Sequence, residues 1–202
     1  MENGGIYMKI CVYGASSNVI DKSYIEDVEK LGEMLVERGH SLVYGAGAQG
    51  LMGAVARGVH SMDGEIVGVS PKFFDVDGVL FEHCTELIYT DTMRQRKQIM
   101  EDRAEAFVMV PGGIGTFEEF FEILTLKQLG QHKKPIAVYN FKGYYDAMEN
   151  MMEQAIEQKF MKDKCRNLYK FFDNMEEMFE YLENYDDDYS GILDMKYNYE
   201  EN

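Results

Sequence analysis

The chain has 202 residues, a formal net charge of −16 and a sequence pI near 4.6. This excess of negative charge argues against a general affinity for nucleic acid or anionic membranes. The length suits one α/β domain, and no apolar run approaches the length of a membrane span. The three scattered cysteines, Cys11, Cys84 and Cys165, indicate reduced thiols in a cytoplasmic protein.

Strand and helix patterns alternate from the beginning of the chain. Residues 1–7 are polar and glycine-rich, and we expect a flexible extension there. Short apolar runs predict strands at residues 8–13, 41–44 and 65–70, and residues 22–38 have apolar side chains at helical spacing. In the turn after the first strand, Ser16 and Ser17 are either helix caps or groups that face a ligand.

A glycine-rich turn follows the second strand. Gly45, Gly47 and Gly50 have the G-x-G-x-x-G spacing of dinucleotide-binding turns, and Asp63 and Glu65 lie roughly where a ribose-binding acid is expected. The same glycines also permit a tight strand-to-helix turn, or hold the backbone near a mononucleotide. Such turns usually follow the first strand, which lacks these glycines here, so the support for an NAD site is weak.

A helix from about residue 93 to residue 104 begins with unusual charges. Arg94, Arg96 and Lys97 lie in its first turns, where the helix dipole disfavours positive charge. A local rule broken in this way is more expected at a functional site than elsewhere. The alternative is a solvated face on which Lys97 pairs with Glu101 one turn later.

The turn at residues 111–116 joins a strand at 106–110 to a helix running to about residue 129. Its glycines let backbone N–H groups approach an anion, and the helix start adds the positive end of a dipole. This turn is therefore a predicted phosphate site, with the N–H groups of Gly113, Gly115 and Thr116 as donors.

Glu118 and Glu119 stand just inside this helix, where a phosphate cradle does not need them. A carboxylate there would stabilise the positive charge that develops at a ribose when an N-glycosidic bond breaks. The alternative is a capping box, T-x-x-E, in which Glu119 reaches back to the N–H of Thr116.

The remaining patterns complete an α/β chain. Because strands that are apolar throughout alternate with helices, we predict a Rossmann-like doubly wound parallel sheet with helices on both faces. It forms a single domain at residues 8–184, followed by an acidic C-terminal tail at residues 185–202. The later elements are a brief strand at 86–89, a strand at 135–139, a helix at 143–159, an extended run at 168–172 and a helix at 175–183.

Two sequence motifs together resemble one family. VPGGIGTFEE, residues 110–119, matches the PGGxGTxxE motif of the LOG (lonely guy) family, and MRQRK, residues 93–97, resembles its M-x-x-R-K stretch. YGAGAQGLMGAVA and GVSPKFF extend the resemblance over most of residues 8–160, although Ala46 replaces a usual glycine. The chain is thus identified as similar to cytokinin riboside 5′-monophosphate phosphoribohydrolases, which are often mislabelled lysine decarboxylases.

The resemblance implies a homodimeric enzyme that hydrolyses a nucleoside 5′-monophosphate, of AMP or cytokinin riboside monophosphate type, to free base and ribose 5-phosphate. It implies no metal or redox cofactor. By motif position Arg96 and Glu119 are the catalytic pair. The implied substrate-binding residues are Lys97, Gly113, Ile114, Gly115, Thr116, Glu118 and Thr125. No glutamate aligns in the loop at 72–86, where plant members have a substrate-contacting one, so the base preference stays open.

Other functions are weighed against this one. The same cradle would also serve a non-catalytic nucleotide-binding or sensing module, and the second-strand glycines would serve a dinucleotide oxidoreductase. Lysine decarboxylation lacks support, because no pyridoxal-phosphate lysine is marked. The isolated histidines do not have metal-ligand spacing: His40, His60, His83 and His132. A homodimer face is not separable from core by sequence, and its candidates are Met93, Met100, Leu126 and Leu129.

Overall fold

The computed structural model describes residues 7–186. Of the predicted N-terminal extension at residues 1–7, only Tyr7 falls within this range, and its hydroxyl donates to Glu65 Oε2 at 3.0 Å. The predicted acidic tail at 185–202 lies outside the described residues beyond position 186.

Parallel strands and helices alternate along the described chain, except that a loop with a short 3-10 turn at Lys72–Phe74 joins the third strand to the fourth. The strands are β1 Lys9–Tyr13, β2 Ser41–Tyr44, β3 Ile66–Pro71, β4 Glu86–Thr90, β5 Ala106–Met109, β6 Ile136–Tyr139 and β7 Lys170–Phe172. The helices are α1 Lys22–Glu37, α2 Gly50–Ser61, α3 Met93–Arg103, α4 Ile114–Gln128, α5 Asp146–Glu157 and α6 Met175–Glu183. Within residues 7–186, none of these helices is long and apolar enough to cross a membrane.

The seven strands pair in the order β4-β3-β2-β1-β5-β6-β7, and every pairing is parallel. One face of the sheet packs against α1, α2 and α6, and the other against α3, α4 and α5. The predicted Rossmann-like α/β fold is confirmed. The strand order reverses between β1 and β5, and in such sheets a crevice for ligands opens at the carboxyl ends of the strands on either side of that point.

The start of α5 differs from its prediction. The helix was expected from residue 143, but it begins at Asp146 after a short 3-10 turn at Phe141–Gly143. Lys142 and Gly143 both have positive φ angles, 56° and 70°, which a right-handed helix does not accommodate. The apolar spacing continues through this turn, so the periodicity alone placed the start too early.

Candidate active site

A cavity of about 650 Å³ lies at the carboxyl edge of the sheet, beside the point where the strand order reverses. Its walls come from the turns after β1 and β2, the loop after β3, one face of α3 and the first turns of α4. Most of the predicted site residues line it, namely Arg96, Gly113, Ile114, Gly115, Thr116 and Glu119. The two sequence motifs therefore meet in space.

Arg96 and Glu119 form an ion pair on the cavity wall. Arg96 Nη1 donates to Glu119 Oε1 at 2.8 Å, and Arg96 Nε donates to the carbonyl oxygen of Val69 at 3.1 Å. The side chains are 11% and 13% exposed. Burial raises the pKa of Glu119 above its ordinary value, and the neighbouring Arg96 opposes that rise. The pair is thus largely shielded from solvent but open to the cavity.

The capping-box interpretation of Glu119 is wrong. Helix α4 begins at Ile114, and its N-cap is Gly113, which has no side chain to cap with. Thr116 is therefore already inside the first turn, three residues too late to be a cap. The Glu119 carboxylate instead accepts from Arg96, on a different helix.

The first turn of α4 presents backbone donors to the cavity. The N–H of Phe117 bonds to the carbonyl oxygen of Gly113 at 3.0 Å, which closes the first helical turn. The N–H groups of Ile114, Gly115 and Thr116 precede it, and such groups have no carbonyl partner within a helix. Because they lie at the positive end of the helix dipole, this edge of the cavity is suited to an anion.

The start of α2, at the other glycine-rich turn, is already occupied. The N–H of Gly50 donates to Asn18 Oδ1 at 2.7 Å, and the N–H of Leu51 donates to the carbonyl oxygen of Ala15 at 2.8 Å. Asp63 and Glu65 lie between α2 and β3, at the opposite edge of the sheet from the cavity. The dinucleotide interpretation therefore fails, because its phosphate donors are bonded and its ribose acid lies at the wrong edge.

Gly45 has a role that its spacing did not predict. A Cβ built at Gly45 would lie 1.8 Å from Arg96 Nη2, so the guanidinium lies directly against this backbone. Any side chain at position 45 would displace it. The absence of a Cβ thus makes room for Arg96.

The remaining predicted substrate-binding residues lie outside the cavity wall of this chain. Lys97 Nζ pairs with Glu118 and also with Glu122 Oε2 at 2.6 Å, joining α3 to α4. The predicted alternative, a pair with Glu101, is therefore wrong. Thr125 is exposed, and its hydroxyl donates to the carbonyl oxygen of Phe121 at 2.7 Å. Lys97, Glu118 and Thr125 stay predictions.

Some cavity residues lie outside the predicted substrate-binding set, although ligand contact was one of the two alternatives for Ser16 and Ser17. Ser16 and Ser17 are exposed and line the cavity. They do not cap helix α1, because its N-cap is Asp21, which accepts from the N–H of Ser23 at 2.9 Å. Tyr13 is buried at the cavity floor, and its ring stacks on Phe107 with centroids 6.2 Å apart. The sequence signal for a ligand-facing position was the location of these three residues at the end of β1 and in the turn after it.

Four apolar side chains line another part of the cavity. This apolar wall comes from the loop after β3 and from the start of α3, and consists of Phe74, Val79, Leu80 and Met93. Of the other aromatic residues in that loop, Phe73 is exposed and Phe81 is buried in the core. No group of three or more His, Cys, Asp or Glu side chains in residues 7–186 is placed to hold a metal ion.

Comparisons with known proteins give one family and one fold. The family described as "Possible lysine decarboxylase" matches residues 52–182. Cytokinin riboside 5′-monophosphate phosphoribohydrolase LOG2 of Arabidopsis thaliana is 36% identical over 179 residues, which cover 89% of this chain and 84% of the relative. Cytokinin riboside 5′-monophosphate phosphoribohydrolase LOG of Oryza sativa subsp. japonica is 37% identical over 183 residues, which cover 91% of this chain and 76% of the relative.

Solved structures share the fold at lower identity. The molybdenum cofactor carrier protein of Chlamydomonas reinhardtii has a TM-score of 0.65 and 17% identity, covering 87% of this chain and 95% of that one. The molybdenum cofactor binding protein of Rippkaea orientalis has a TM-score of 0.62 and 15% identity, covering 89% and 96%. At these identities the likeness extends to the fold alone.

Proposed function

Because the chain belongs to the LOG family of phosphoribohydrolases, we propose that it hydrolyses the N-glycosidic bond of a nucleoside 5′-monophosphate to free base and ribose 5-phosphate. One observation carries the proposal. The open N–H groups at the start of α4 and the shielded Arg96–Glu119 pair face the same cavity. An anion site and a carboxylate are the two parts that this reaction needs.

The phosphate binds at the start of α4 in this proposal. The donors are the N–H groups of Gly113, Ile114, Gly115 and Thr116, assisted by the helix dipole. Since the donors at the start of α2 are already bonded, the cavity provides for one phosphate rather than two. Anchoring this remote group holds the ribose in place, so binding energy is used for positioning.

Glu119 acts on the ribose. As the bond from C1′ to the base nitrogen breaks, positive charge develops on the sugar, and the carboxylate stabilises it. Glu119 also takes a proton from the attacking water, whose oxygen bonds to C1′. The electron pair of the broken bond stays on the base nitrogen, which takes up a proton from solvent. Arg96 holds the carboxylate through its 2.8 Å hydrogen bond, and in this role no resident metal or redox cofactor is required.

The base lies against the apolar wall of Phe74, Val79, Leu80 and Met93. A flat ring suits such a surface, and the substrate that we propose is AMP or a cytokinin riboside monophosphate. The relatives named above carry the cytokinin substrate in their names. The side chains of this wall are all apolar, so an unmodified adenine is included in the proposal.

We also propose a homodimer that pairs the outer faces of α3 and α4. Met93 and Leu129, two of the predicted interface residues, are 40% and 37% exposed. Met100, a third, is fully buried in the core of its own chain and is withdrawn from the interface. The same outer faces carry Lys97, Glu118 and Thr125, so the predicted substrate contacts of these residues belong with this dimer.

The test is base release from a panel of 5′-monophosphates and their nucleosides, followed by chromatography. We expect release from a monophosphate and not from its nucleoside, and loss of release in Arg96→Ala and Glu119→Gln. The matched control is the ion pair of Arg57 and Glu29, which lies outside the cavity with a 3.1 Å separation. Arg57→Ala and Glu29→Gln should retain base release.

Failure of the folded protein to release base from every monophosphate would refute the enzyme. Monophosphate binding that persists without turnover, and that Glu119→Gln leaves unchanged, would favour the sensing module instead. A sensor does not require a carboxylate beside the ribose. The effect of Glu119→Gln therefore distinguishes an enzyme from a sensor.

A further inference from the structure

The turn that leads into α4 is held by hydrogen bonds to three successive carbonyl groups. Two of the donors are phenol groups from the turn before α5, and the third is a backbone N–H from the turn after β1. The bonds are Tyr145 Oη to Val110 O at 2.8 Å, Ala15 N to Pro111 O at 3.0 Å and Tyr144 Oη to Gly112 O at 2.7 Å. Each carbonyl in this turn therefore has a fixed direction.

The bond from Tyr144 fixes one peptide that matters for anion binding. The described chain contains no cis peptide, so the carbonyl of Gly112 and the N–H of Gly113 point in opposite directions. Gly112 is buried, whereas Gly113 is exposed on the cavity wall. With its carbonyl held by Tyr144, this peptide directs its N–H away from Tyr144.

The orientation of the Gly112–Gly113 peptide depends on a hydrogen bond from outside the turn more than the orientation of its neighbours does. This peptide joins two glycines, which lack the Cβ atoms that restrict rotation of other peptides. The N–H groups of Ile114, Gly115 and Thr116 are oriented by the helix itself, but the N–H of Gly113 precedes the helix. Its direction therefore depends on the Gly112 carbonyl.

We propose that Tyr144 is a positioning residue for phosphate binding, because its hydrogen bond to Gly112 keeps the N–H of Gly113 directed at the anion. This inference rests on the proposed function, since it assigns the phosphate of that substrate to this turn. Tyr144 does not line the cavity and acts through the backbone. Removing its hydroxyl lets the Gly112–Gly113 peptide rotate, and the carbonyl oxygen can then face the phosphate in place of the N–H.

Tyr144 is itself held in a defined place. Its ring packs edge to face against Tyr145 and Tyr24, with centroids 4.8 Å and 6.1 Å away. The turn before it is closed by Asn140, whose Oδ1 accepts from the N–H of Tyr145 at 2.6 Å. Asn140 also donates to Asp146 Oδ1 at 2.7 Å, so the phenol is presented by a braced turn.

Tyr145 provides a matched comparison in the same turn. Its hydroxyl also donates to a carbonyl of this segment, but that carbonyl belongs to the peptide between Val110 and Pro111. Proline has no N–H, so rotation of this peptide exposes no donor and removes none. The Tyr145 hydroxyl also interacts with the N–H of Gly112, but the peptide between Pro111 and Gly112 stays held by Ala15, which donates to the Pro111 carbonyl. Tyr145 is 1% exposed and Tyr144 is 44% exposed, so loss of the Tyr145 hydroxyl affects stability more.

The experiment compares Tyr144→Phe with Tyr145→Phe in the full chain. Calorimetry measures the Kd of ribose 5-phosphate and of inorganic phosphate, base-release kinetics give KM and kcat, and thermal unfolding gives Tm. For Tyr144→Phe we expect Kd and KM to rise by roughly tenfold, as for the loss of one hydrogen bond to a charged group, with kcat and Tm changed little. For Tyr145→Phe we expect a lower Tm with Kd and KM unchanged.

The outcomes separate the inference from the proposed function. Wild-type Kd and KM in Tyr144→Phe, in a chain that still releases base, would overturn the inference alone. An equal loss of phosphate affinity in both variants would also overturn it, because it would mean general support of the turn. A tenfold rise in the Kd of ribose 5-phosphate for Tyr144→Phe, in a chain that releases no base, would support the inference while the proposed function fails.

Discussion

At the scale of single residues, Gly45 and Arg96 make the clearest prediction. We expect Gly45→Ala to slow base release about as much as Arg96→Ala does, because the new methyl group displaces the guanidinium that holds Glu119. The displaced atoms are the far end of a flexible side chain, so Tm should change little. Kinetics and thermal unfolding of the purified variant check both parts.

A double variant tests whether Gly45→Ala acts through Arg96. If it does, Gly45→Ala with Arg96→Ala should be no slower than Arg96→Ala alone, since coupled residues give non-additive effects. Additive losses would show instead that position 45 contacts the substrate on its own account.

Glu119 makes a second residue-scale prediction, for the pH dependence of stability. Burial raises its pKa in the folded chain above the ordinary value of 4.5. Between 4.5 and the raised value the folded state therefore binds more protons than the unfolded state, and stability falls as pH rises through this window. Urea unfolding at several pH values should show wild type losing stability relative to Glu119→Gln over that window. A constant difference would contradict the assignment.

The residue scale also shows where local sequence reasoning stops. Thr116-x-x-Glu119 has the spacing of a capping box, and Lys97 has an acid one turn later, so both local interpretations were reasonable. Both are wrong because each side chain pairs with a residue on another helix. Arg96 and Glu119 are 23 positions apart, and Lys97 and Glu118 are 21 positions apart. The family motifs paired Arg96 with Glu119, which local spacing could not do.

At the scale of elements, the start of α3 supports the site. Thr92 Oγ1 accepts from the N–H of Gln95, and Gln95 Oε1 accepts from the N–H of Thr92, both at 3.2 Å. This capping box satisfies donors in the turn just before Arg96. We expect Thr92→Ala to lower the free energy of unfolding by about 1 kcal/mol and to reduce kcat/KM as the first turn frays.

The matched control for that prediction is Asn174, which caps α6 by accepting from the N–H of Glu177 at 3.1 Å. Asn174→Ala should cost similar stability in urea unfolding and leave kcat/KM unchanged, because α6 does not border the cavity. Equal losses of activity in the two variants would mean that global stability, and not the order of α3, governs the rate.

Element types were predictable where the apolar period was clean. The buried strands are apolar at every position, as in β5 and β6, because helices cover both faces of the sheet. Helix α5 was placed too early because the apolar spacing continues through a turn in which Lys142 and Gly143 have positive φ angles. The loop after β3 has no period, so the sequence could not distinguish Phe74, on the cavity, from Phe81, in the core.

At the scale of the whole molecule, the sheet topology brings distant segments together. The turns after β1 and β5 border the cavity because these strands are neighbours in the sheet, although nearly the whole first half of the chain separates them. A parallel sheet was predictable from composition and order, but its strand order required the structure. The net charge of −16 disfavours anions in general, so phosphate binding depends on the fixed dipoles of one turn.

The side chain of Asn18 has a consequence for selectivity. Its Oδ1 accepts from the N–H of Gly50 at 2.7 Å, so this donor is not open to a phosphate oxygen at the start of α2. A tethered acceptor acts at a very high effective concentration, far above that of any free ligand. A dinucleotide would have to compete with part of the protein itself for this helix start. Asn18, in the turn after β1, therefore disfavours the binding of ligands that carry a second phosphate.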